Sequence, residues 1–327
     1  MYNEKTLTNI MSPEILIFIL FNSILYGMFL FMLSSGLTLI FGMMGVLNFA
    51  HASFFMLGAY IAYQINLVTN FWIALLLAPI VVALIGGLTE KFALRKIHKF
   101  GHVAELIFTF GLFYIIEEVV QMIWGRVPVP YEIPEALNFS LIEISGMSYP
   151  AYSMFRLFLS VAIFLSLYQI LAKTKTGLII KASLTHPNMV SALGHNVPKI
   201  FSYVFGFGCG LAGLAGVLAG NVIGTEPSMA LLLGPIVFVV IVVGGLGSLK
   251  GALYASLLIG FFQTTAIFLE FSINDFVEFL GYEVDVESTI NEFTNITISQ
   301  LAPIVPYLLL IVVLVSKPRG LFGGRDV

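Results

Sequence analysis

The feature that most limits how this chain can fold is a succession of long apolar segments that carry almost no charge. Charged residues make up 10% of the 327 residues, whereas a soluble domain carries roughly 25%. A helix needs about 20 mostly apolar residues to cross the hydrocarbon core of a bilayer. The candidate segments are 15–34, 36–48, 52–69, 72–89, 103–124, 154–172, 200–222, 231–247, 251–270 and 301–316. They predict a single transmembrane domain over residues 1–327, an all-α polytopic membrane protein with eight to ten transmembrane or re-entrant helices.

The distribution of Lys and Arg predicts the orientation of these helices. Eleven of the fifteen basic residues lie in loop 91–99, in loop 173–199 and in the C-terminal tail. Loops rich in Lys and Arg remain on the cytoplasmic side. We therefore expect both termini and loop 173–199 in the cytoplasm of a bacterial or archaeal cell. Loop 271–300 contains acidic residues and no Lys or Arg, so we expect it outside, either as a solvated surface or as a contact for an external protein.

Small residues predict close helix packing in the segment 206–220. Residues at four-residue spacing share one face of a helix, and small side chains on such a face let two membrane helices approach closely. The residues concerned are Gly208, Ala212, Gly216 and Gly220. This face predicts an interface, within the chain or with a partner.

Two glycine-rich interruptions of the apolar pattern are candidates for a substrate pathway. Residues 36–60 hold a polar cluster, and polar groups at membrane depth are costly unless they have a function. Residues 244–260 are interrupted in a similar way, and paired interruptions in the two halves of a chain favour an inverted repeat. The candidate pathway residues are Asn48, His51, Ser53, Gly245, Gly247 and Ser248. Alternatively, His51 only packs between helices, and Asn48 only caps a half-helix.

The loop 173–199 contains the pattern of a short helix. Thr185 or His186 can cap it, and Pro187 at the first position loses no hydrogen bond. Gly194 is typical of the residue that follows a helix end. Met189, Val190 and Leu193 would then share one side, which suits docking into a groove of a soluble partner. Alternatively, the basic residues of this loop, including Lys181, only determine the topology.

Several classes of chemistry are excluded by missing patterns. The chain has no GxxxxGK[ST] phosphate loop, no Cys/His metal spacing and no GxSxG nucleophile, so we expect no enzyme activity, no metal and no bound cofactor. Its one cysteine, Cys209, cannot form an internal disulfide, and a net charge of −3 gives no surface for nucleic acid. Among the carboxylates in the apolar segment 103–124, Glu105 can extend to water near one end, and Glu117 and Glu118 favour the opposite interface. If Glu117 or Glu118 instead served a pathway, the chain would be an ion-driven secondary transporter.

Five motifs resemble one family of membrane proteins. They are GVLNFAHASFFMLGAY at 45–60, EKFALRKIH at 90–98, GLIIKASLTHPNMVSALGHNV at 177–197, VVGGLGSLKGALYASLLIG at 242–260 and KPRGLFG at 317–323. In this order they resemble the branched-chain amino-acid permeases of ATP-binding cassette (ABC) importers, and the H-type more than the M-type subunit. Two features depart from the family pattern, namely Ala52 in place of glycine and the long acidic loop 271–300.

The resemblance implies a transport subunit that works with other chains in a lipid bilayer. The expected partners are two ABC ATPases that bind ATP and magnesium, an M-type permease and an extracytoplasmic substrate-binding protein. The matched loop implies ATPase contact through Gly177, Lys181, Pro187, Met189, Val190, Leu193 and Gly194. The expected substrates are branched-chain or other hydrophobic amino acids, with urea and short amides as the alternative within the same family.

Overall fold

The computed structural model describes residues 13–144, 147–269, 272, 274 and 295–323, and within them it is almost entirely helical. The helices are α1 Pro13–Met44, α2 His51–Val68, α3 Phe71–Thr89, α4 His102–Trp124, α5 Ala151–Lys173, α6 Lys175–Thr185, α7 Pro187–Ala192, α8 Val197–Ile223, α9 Met229–Gly244, α10 Leu249–Phe268 and α11 Val305–Ser316. A π-helical turn, Glu90–Leu94, and two short turns extend α3 to Phe100, and two short turns from Ile298 precede α11. The only sheet in the described part is the antiparallel hairpin of β1 Ser140–Ile144 and β2 Met147–Pro150.

Seven of the described helical segments are long and apolar enough to cross a membrane. They are Pro13–Met44, Phe71–Phe100, His102–Trp124, Ala151–Lys173, Val197–Ile223, Leu249–Phe268 and Ile298–Ser316. The less apolar α2 and the 16-residue α9 also run inside the bundle, between longer helices. The all-α polytopic class predicted above is therefore confirmed.

The predicted division of residues 15–48 into two segments is wrong, because the boundary between 15–34 and 36–48 lies inside the continuous helix α1, which ends at Met44. The polar residues in its middle do not interrupt the helix, since each hydroxyl bonds to a carbonyl of the preceding turn. Ser34 donates to Phe31 O at 3.2 Å, Ser35 to Met32 O at 2.7 Å and Thr38 to Ser34 O at 2.9 Å.

Contacts at its two ends show which way α1 runs. Near its start, Phe18 packs against Tyr149, which precedes α5, and against Phe268 at the end of α10. At its other end, Met44 lines a cavity of about 200 Å³ with Glu90 and Pro198. Pro13 thus lies at the end of the bundle opposite loop 91–99.

Ten of the eleven clustered basic residues are described, and all ten lie at one end of the bundle, here called the basic end. The C-terminal segment also lies there, since Leu321 N donates to Val243 O and Phe322 N to Gly244 O. The first and last described residues, Pro13 and Gly323, are therefore on opposite ends. The expectation that both termini share one side concerns residues 1–12 and 324–327, which lie outside the described residues, and it stays a prediction.

Packing relations between the helices reveal an inverted repeat. Helix α3 of the first half packs on α8 of the second half, and α10 of the second half packs on α1 of the first half. Helices α1 and α8 pack on each other at the centre. Likewise α2 contacts α4 as α9 contacts α11. The repeat therefore relates α1–α4 to α8–α11, which run in opposite directions. The two interrupted segments 36–60 and 244–260 are not equivalent within it, so that pairing was wrong although a repeat exists.

The glycine face of α8 packs inside the chain. A β-carbon at Gly208 would lie 2.6 Å from Ile40 Cγ1, and one at Gly216 would lie 2.0 Å from Phe55 O. Such distances are too short for any side chain, so α8 touches α1 and α2 through bare backbone. The predicted interface is confirmed, and it lies within the subunit.

Candidate functional site

The connection between α1 and α2 creates the most unusual polar site of the described residues. Gly45 adopts φ +65°, a backbone conformation that favours glycine, and the chain resumes as a helix only at His51. No side chain caps the start of α2, because the preceding residue is Ala50. The first turns of α2 are nevertheless buried in the bundle, together with Asn48 and His51.

A cavity of about 320 Å³ adjoins this connection. Its walls come from the start of α2, from residues 230–239 of α9, from the middle of α4 and from the first two turns of α11. Since α2 corresponds to α9 and α4 to α11, the cavity lies where the two repeats meet. Most of its lining is apolar, and the residues with the largest side chains are Phe49, Phe110, Phe113, Tyr114, Phe238 and Tyr307.

Two polar side chains line this cavity with hydrogen-bonding atoms that have no partner. Asn48 is 2% exposed, and neither its amide nitrogen nor its amide oxygen is bonded. His51 bonds through Nε2 to Leu33 O at 3.0 Å, so Nε2 is the donor and Nδ1, which is unpartnered, is an acceptor in the neutral ring. Buried polar groups without partners are rare and costly, so these atoms are available for bonds to a ligand or to water.

These contacts decide between the alternative interpretations of Asn48 and His51. Asn48 does not cap α2, because its side-chain oxygen accepts no hydrogen bond. His51 has a structural role through Nε2, and its ring packs against α1 at Gly36, where a β-carbon would lie 2.9 Å from Cε1. Its other nitrogen is free for a further bond.

Helix α4 fixes the connection from the side. Thr109 Oγ1 accepts from Phe49 N at 3.3 Å and donates to Leu47 O at 3.2 Å. Ser53 is fully buried and donates to Phe113 O at 3.2 Å. Ser53 therefore holds α2 against α4 and does not line the cavity.

The other predicted pathway residues lie at the basic end and do not line the cavity either. Gly247 has φ +82° and meets Gly42, since a β-carbon on Gly247 would lie 2.6 Å from Gly42 Cα. Gly245 packs in the same way against Gly323 of the C-terminal segment. Ser248 caps α10 by accepting from Gly251 N at 3.0 Å. In this structure the three residues join α9, α10 and the tail to α1.

The wall formed by α9 was missed from sequence. Gly234 leaves room in this wall, where an added β-carbon would lie 3.3 Å from Ala52 Cβ, and Pro235 follows it inside the helix. A proline in the middle of a helix removes a backbone hydrogen bond and marks an irregularity. The sequence pair Gly234-Pro235 could have indicated this irregularity in α9.

The short helix of loop 173–199 forms as predicted, with two exceptions. It begins at Pro187, and Gly194 follows its end with φ +88°. His186 is at the N-cap position, but no side chain makes the predicted capping hydrogen bond. Met189 and Leu193 are 67% and 78% exposed, but Val190 is 4% exposed and packs inward. The expectation that all three share one exposed side was therefore wrong for Val190. Met189 and Leu193 are four residues apart and share the exposed face, whereas Val190 follows Met189 directly and lies on another face.

Two other residues of this loop have clear positions. Gly177, in the first turn of α6, lies against the end of α5, where a β-carbon would be 2.3 Å from Ile170 O. Lys181 is exposed on α6. Contact of the loop with an ATPase stays a prediction.

A partly buried ion pair at the end of α3 also contacts this loop. Glu90 is buried, and its carboxylate accepts from Arg95 Nη2 at 2.9 Å. Arg95 also donates to Pro198 O at 2.7 Å, and Ser202 Oγ contacts the same carboxylate. The start of α8 is thereby joined to the π-helical end of α3.

The carboxylates of α4 lie away from the cavity. Glu105 does not extend to water as expected, because it is buried and bonded by His98 and by His102 Nδ1, the latter at 3.2 Å. Glu117 is half-buried beside Gln121, and Glu118 is exposed. The acidic residues 275–292 of loop 271–300 lie outside the described residues.

Two tyrosines anchor α8 near the end of the bundle opposite the basic end. Tyr131 donates to Val217 O and Tyr152 to Leu218 O, both at 3.1 Å. Tyr131 lies in the loop after α4, and burial raises the pKa of its phenol, which keeps it a neutral donor. These bonds fix the last turns of α8 against the loop and α5.

The motifs and the nine-element bundle can now be compared with known proteins. Residues 19–314 match the model of the family described as branched-chain amino acid transport system / permease component. The chain belongs to this permease family. It is thus a multi-pass membrane permease component, as the motifs predicted.

Two relatives match over almost their whole length, and a third matches over about three quarters of it. The permease protein LivH of the high-affinity branched-chain amino acid transport system of Salmonella typhimurium is 24% identical, covering 97% of this chain and 99% of that protein. The corresponding protein BraD of Pseudomonas aeruginosa is 25% identical, covering 96% and 99%. A probable branched-chain amino acid permease, LivH, of Methanocaldococcus jannaschii is 28% identical, covering 74% and 78%. No solved structure matches this permease.

Proposed function

We propose that this permease carries branched-chain or other hydrophobic amino acids as one subunit of an ATP-driven importer, and that the cavity between α2, α4, α9 and α11 is part of the passage. The observation that supports this proposal most directly is that one cavity combines apolar walls with the unpartnered atoms of Asn48 and His51. The named substrates of the relatives agree with this chemistry.

The polar atoms match the part that all amino acids share. Asn48 Oδ1 and His51 Nδ1 are acceptors for an ammonium group, and Asn48 Nδ2 is a donor for a carboxylate. The start of α2 adds the positive end of a helix dipole, which favours a carboxylate nearby. Discontinuous membrane helices contribute to substrate sites in this way.

The apolar walls match a hydrocarbon side chain. Burying an aliphatic side chain against such walls contributes roughly 1.5–3 kcal/mol. Urea or a short amide would leave its several donors and acceptors facing Phe110, Phe113 and Phe238 without bonds. The cavity therefore favours the amino-acid proposal over the urea and short-amide alternative.

An ion-driven secondary mechanism lacks support in the described residues. Coupling to an ion gradient would need intramembrane carboxylates paired with the passage. Glu117 and Glu118 do not line the cavity, and Glu105 is bonded to two histidines. We propose that hydrolysis of ATP drives transport. Separate ATPase subunits would bind the ATP and its magnesium, and this chain would bind no cofactor.

The positive-inside rule supports an orientation for the bundle. We propose that the basic end faces the cytoplasm, so that Pro13 and the hairpin β1–β2 face outward. Two ATPases would then contact α7 through Met189 and Leu193, which are exposed at the basic end. A substrate-binding protein would meet the opposite end.

A second, M-type permease fits the side on which the cavity opens. Phe49, Phe110, Tyr114, Leu231 and Tyr307 line the cavity and are also exposed at the surface of the subunit. A passage closed by two permease subunits would cover these side chains.

Uptake of radiolabelled leucine into proteoliposomes tests the proposal. The complete transporter with its binding protein should accumulate leucine only when ATP reaches the ATPases, and this chain alone should neither hydrolyse ATP nor accumulate leucine. Accumulation by the chain alone under a sodium or proton gradient would favour the secondary transporter. Transport of urea but not leucine would reject the substrate assignment.

A further inference from the structure

Arg156 is a cation inside a membrane-spanning helix and away from the basic end. It lies five residues after Ala151, so its Cα is about 7.5 Å along α5 from the start of that helix. It shares a face with Tyr152 and Ser160, which are both buried. An ionisable residue at such a position indicates a function and requires a partner.

The described residues supply no counter-charge for Arg156. The ion pairs seen within the described residues involve Glu90 and Glu105, both at the basic end, and none of them includes Arg156. Arg156 Nε is buried and has no hydrogen-bond partner. The guanidinium instead stacks over the Tyr152 ring, with 5.7 Å between Cζ and the ring centroid. A cation–π contact satisfies none of the guanidinium hydrogen bonds.

The stacking shows which way the side chain extends. Side chains of a helix lean toward its N-terminus, and Tyr152 lies one turn closer to the start of α5 than Arg156. The guanidinium therefore lies toward the end of the bundle that holds Tyr149 and the hairpin. At this depth the apolar span of α5 gives way to the polar headgroups.

Helix α5 borders lipid along much of its length. It lies outside the two repeats and packs mainly on α1 and on the short helix α6. Phe158, Val161 and Leu165 are exposed on its other faces. Arg156 is on the opposite face of α5 from these residues and is only partly exposed, so an anion would reach its guanidinium from the headgroup level near the start of the helix.

We propose that Arg156 binds the phosphate of an anionic phospholipid, such as phosphatidylglycerol, in the leaflet opposite the basic end. A guanidinium offers planar paired donors that match phosphate oxygens. Nε is buried, so the two terminal nitrogens would form this pair. This proposal is independent of the transported substrate.

Native mass spectrometry of the full chain from nanodiscs of equal parts phosphatidylcholine and phosphatidylglycerol tests the site. The wild type should retain phosphatidylglycerol selectively. Arg156→Gln should bind it roughly tenfold more weakly or worse, which is the loss expected for charge-assisted hydrogen bonds. Arg156→Lys should retain it partly. The matched control Arg126→Gln removes an exposed cation from the same end and should behave like the wild type.

Further outcomes of this experiment distinguish between the possible sources of the anion. If inorganic phosphate displaces the lipid at equal concentration, the site is one for free phosphate and the lipid assignment is wrong. If the wild type shows no preference for phosphatidylglycerol, the proposal is rejected even when Arg156→Gln fails to insert. Selectivity that vanishes once the second permease is bound would mean that a carboxylate of that subunit pairs with Arg156, which would also overturn the lipid assignment.

Discussion

Asn48 carries a large part of the polar recognition proposed for the cavity, and its cost to folding is testable. A buried amide without partners destabilises a protein, so an apolar residue of similar size can be neutral or stabilising there. We expect Asn48→Leu to keep or raise the melting temperature and to abolish leucine uptake. The measurements are thermal unfolding in detergent and uptake in proteoliposomes.

Ser53→Ala is the matched control for Asn48→Leu. Ser53 is equally buried but is bonded to Phe113 O. Its loss should lower the free energy of unfolding by roughly 0.5–1.5 kcal/mol and leave the Michaelis constant for leucine unchanged. Normal uptake by Asn48→Leu would show that the amide does not contact the substrate.

Gly234 should set the size of side chain that the cavity accepts. A methyl group at Gly234 would come 3.3 Å from Ala52 Cβ and narrow the space between α9 and α2. We expect Gly234→Ala to reduce uptake of leucine more than uptake of alanine, measured as the ratio of their kcat/KM values. Adding Ala52→Gly should restore the ratio. Equal losses for both amino acids would indicate a packing defect rather than a size filter.

At the scale of single elements, α7 offers the sharpest test of ATPase contact. Met189 and Leu193 are exposed one turn apart, so we expect Leu193→Ala to weaken co-purification of the ATPases and to lower uptake without changing the amount of permease in the membrane. Val190→Ala is the contrasting variant, because Val190 is buried and its truncation should lower the melting temperature. Normal assembly and uptake by Leu193→Ala would reject α7 as the docking helix.

The helices show what sequence could and could not predict. Apolar segments predicted nearly every crossing, and Pro187 and Gly194 predicted both ends of α7, because helix boundaries depend on local backbone chemistry. The continuity of α1 was missed, because the hydroxyls of Ser34 and Ser35 bond within their own helix rather than interrupt it. Asn48 and His51 were identified by their cost in an apolar segment. The α9 wall at Gly234 was not, since its role depends on the contact with Ala52 across the bundle.

At the scale of the whole molecule, the single crossing by α1 changes the topology. Nine elements cross the bundle in the described part, so Pro13 and Gly323 lie on opposite sides. In a Cys209→Ala background, we expect Glu14→Cys to react with an impermeant maleimide in intact cells and Lys96→Cys to react only after lysis. Both positions are exposed. Labelling of position 96 in intact cells would invert the proposed orientation.

The central claim is that the amino acid passes through the cavity between the two repeats, and alkylation within that cavity tests it most directly. In the Cys209→Ala background, the transporter carrying Gly234→Cys is assembled with its partners and treated with a small maleimide, with and without leucine. The account predicts that saturating leucine slows alkylation of position 234, while aspartate, whose charged side chain does not match the apolar walls, has no effect. A rate that leucine leaves unchanged, in a variant that still transports leucine, would contradict it.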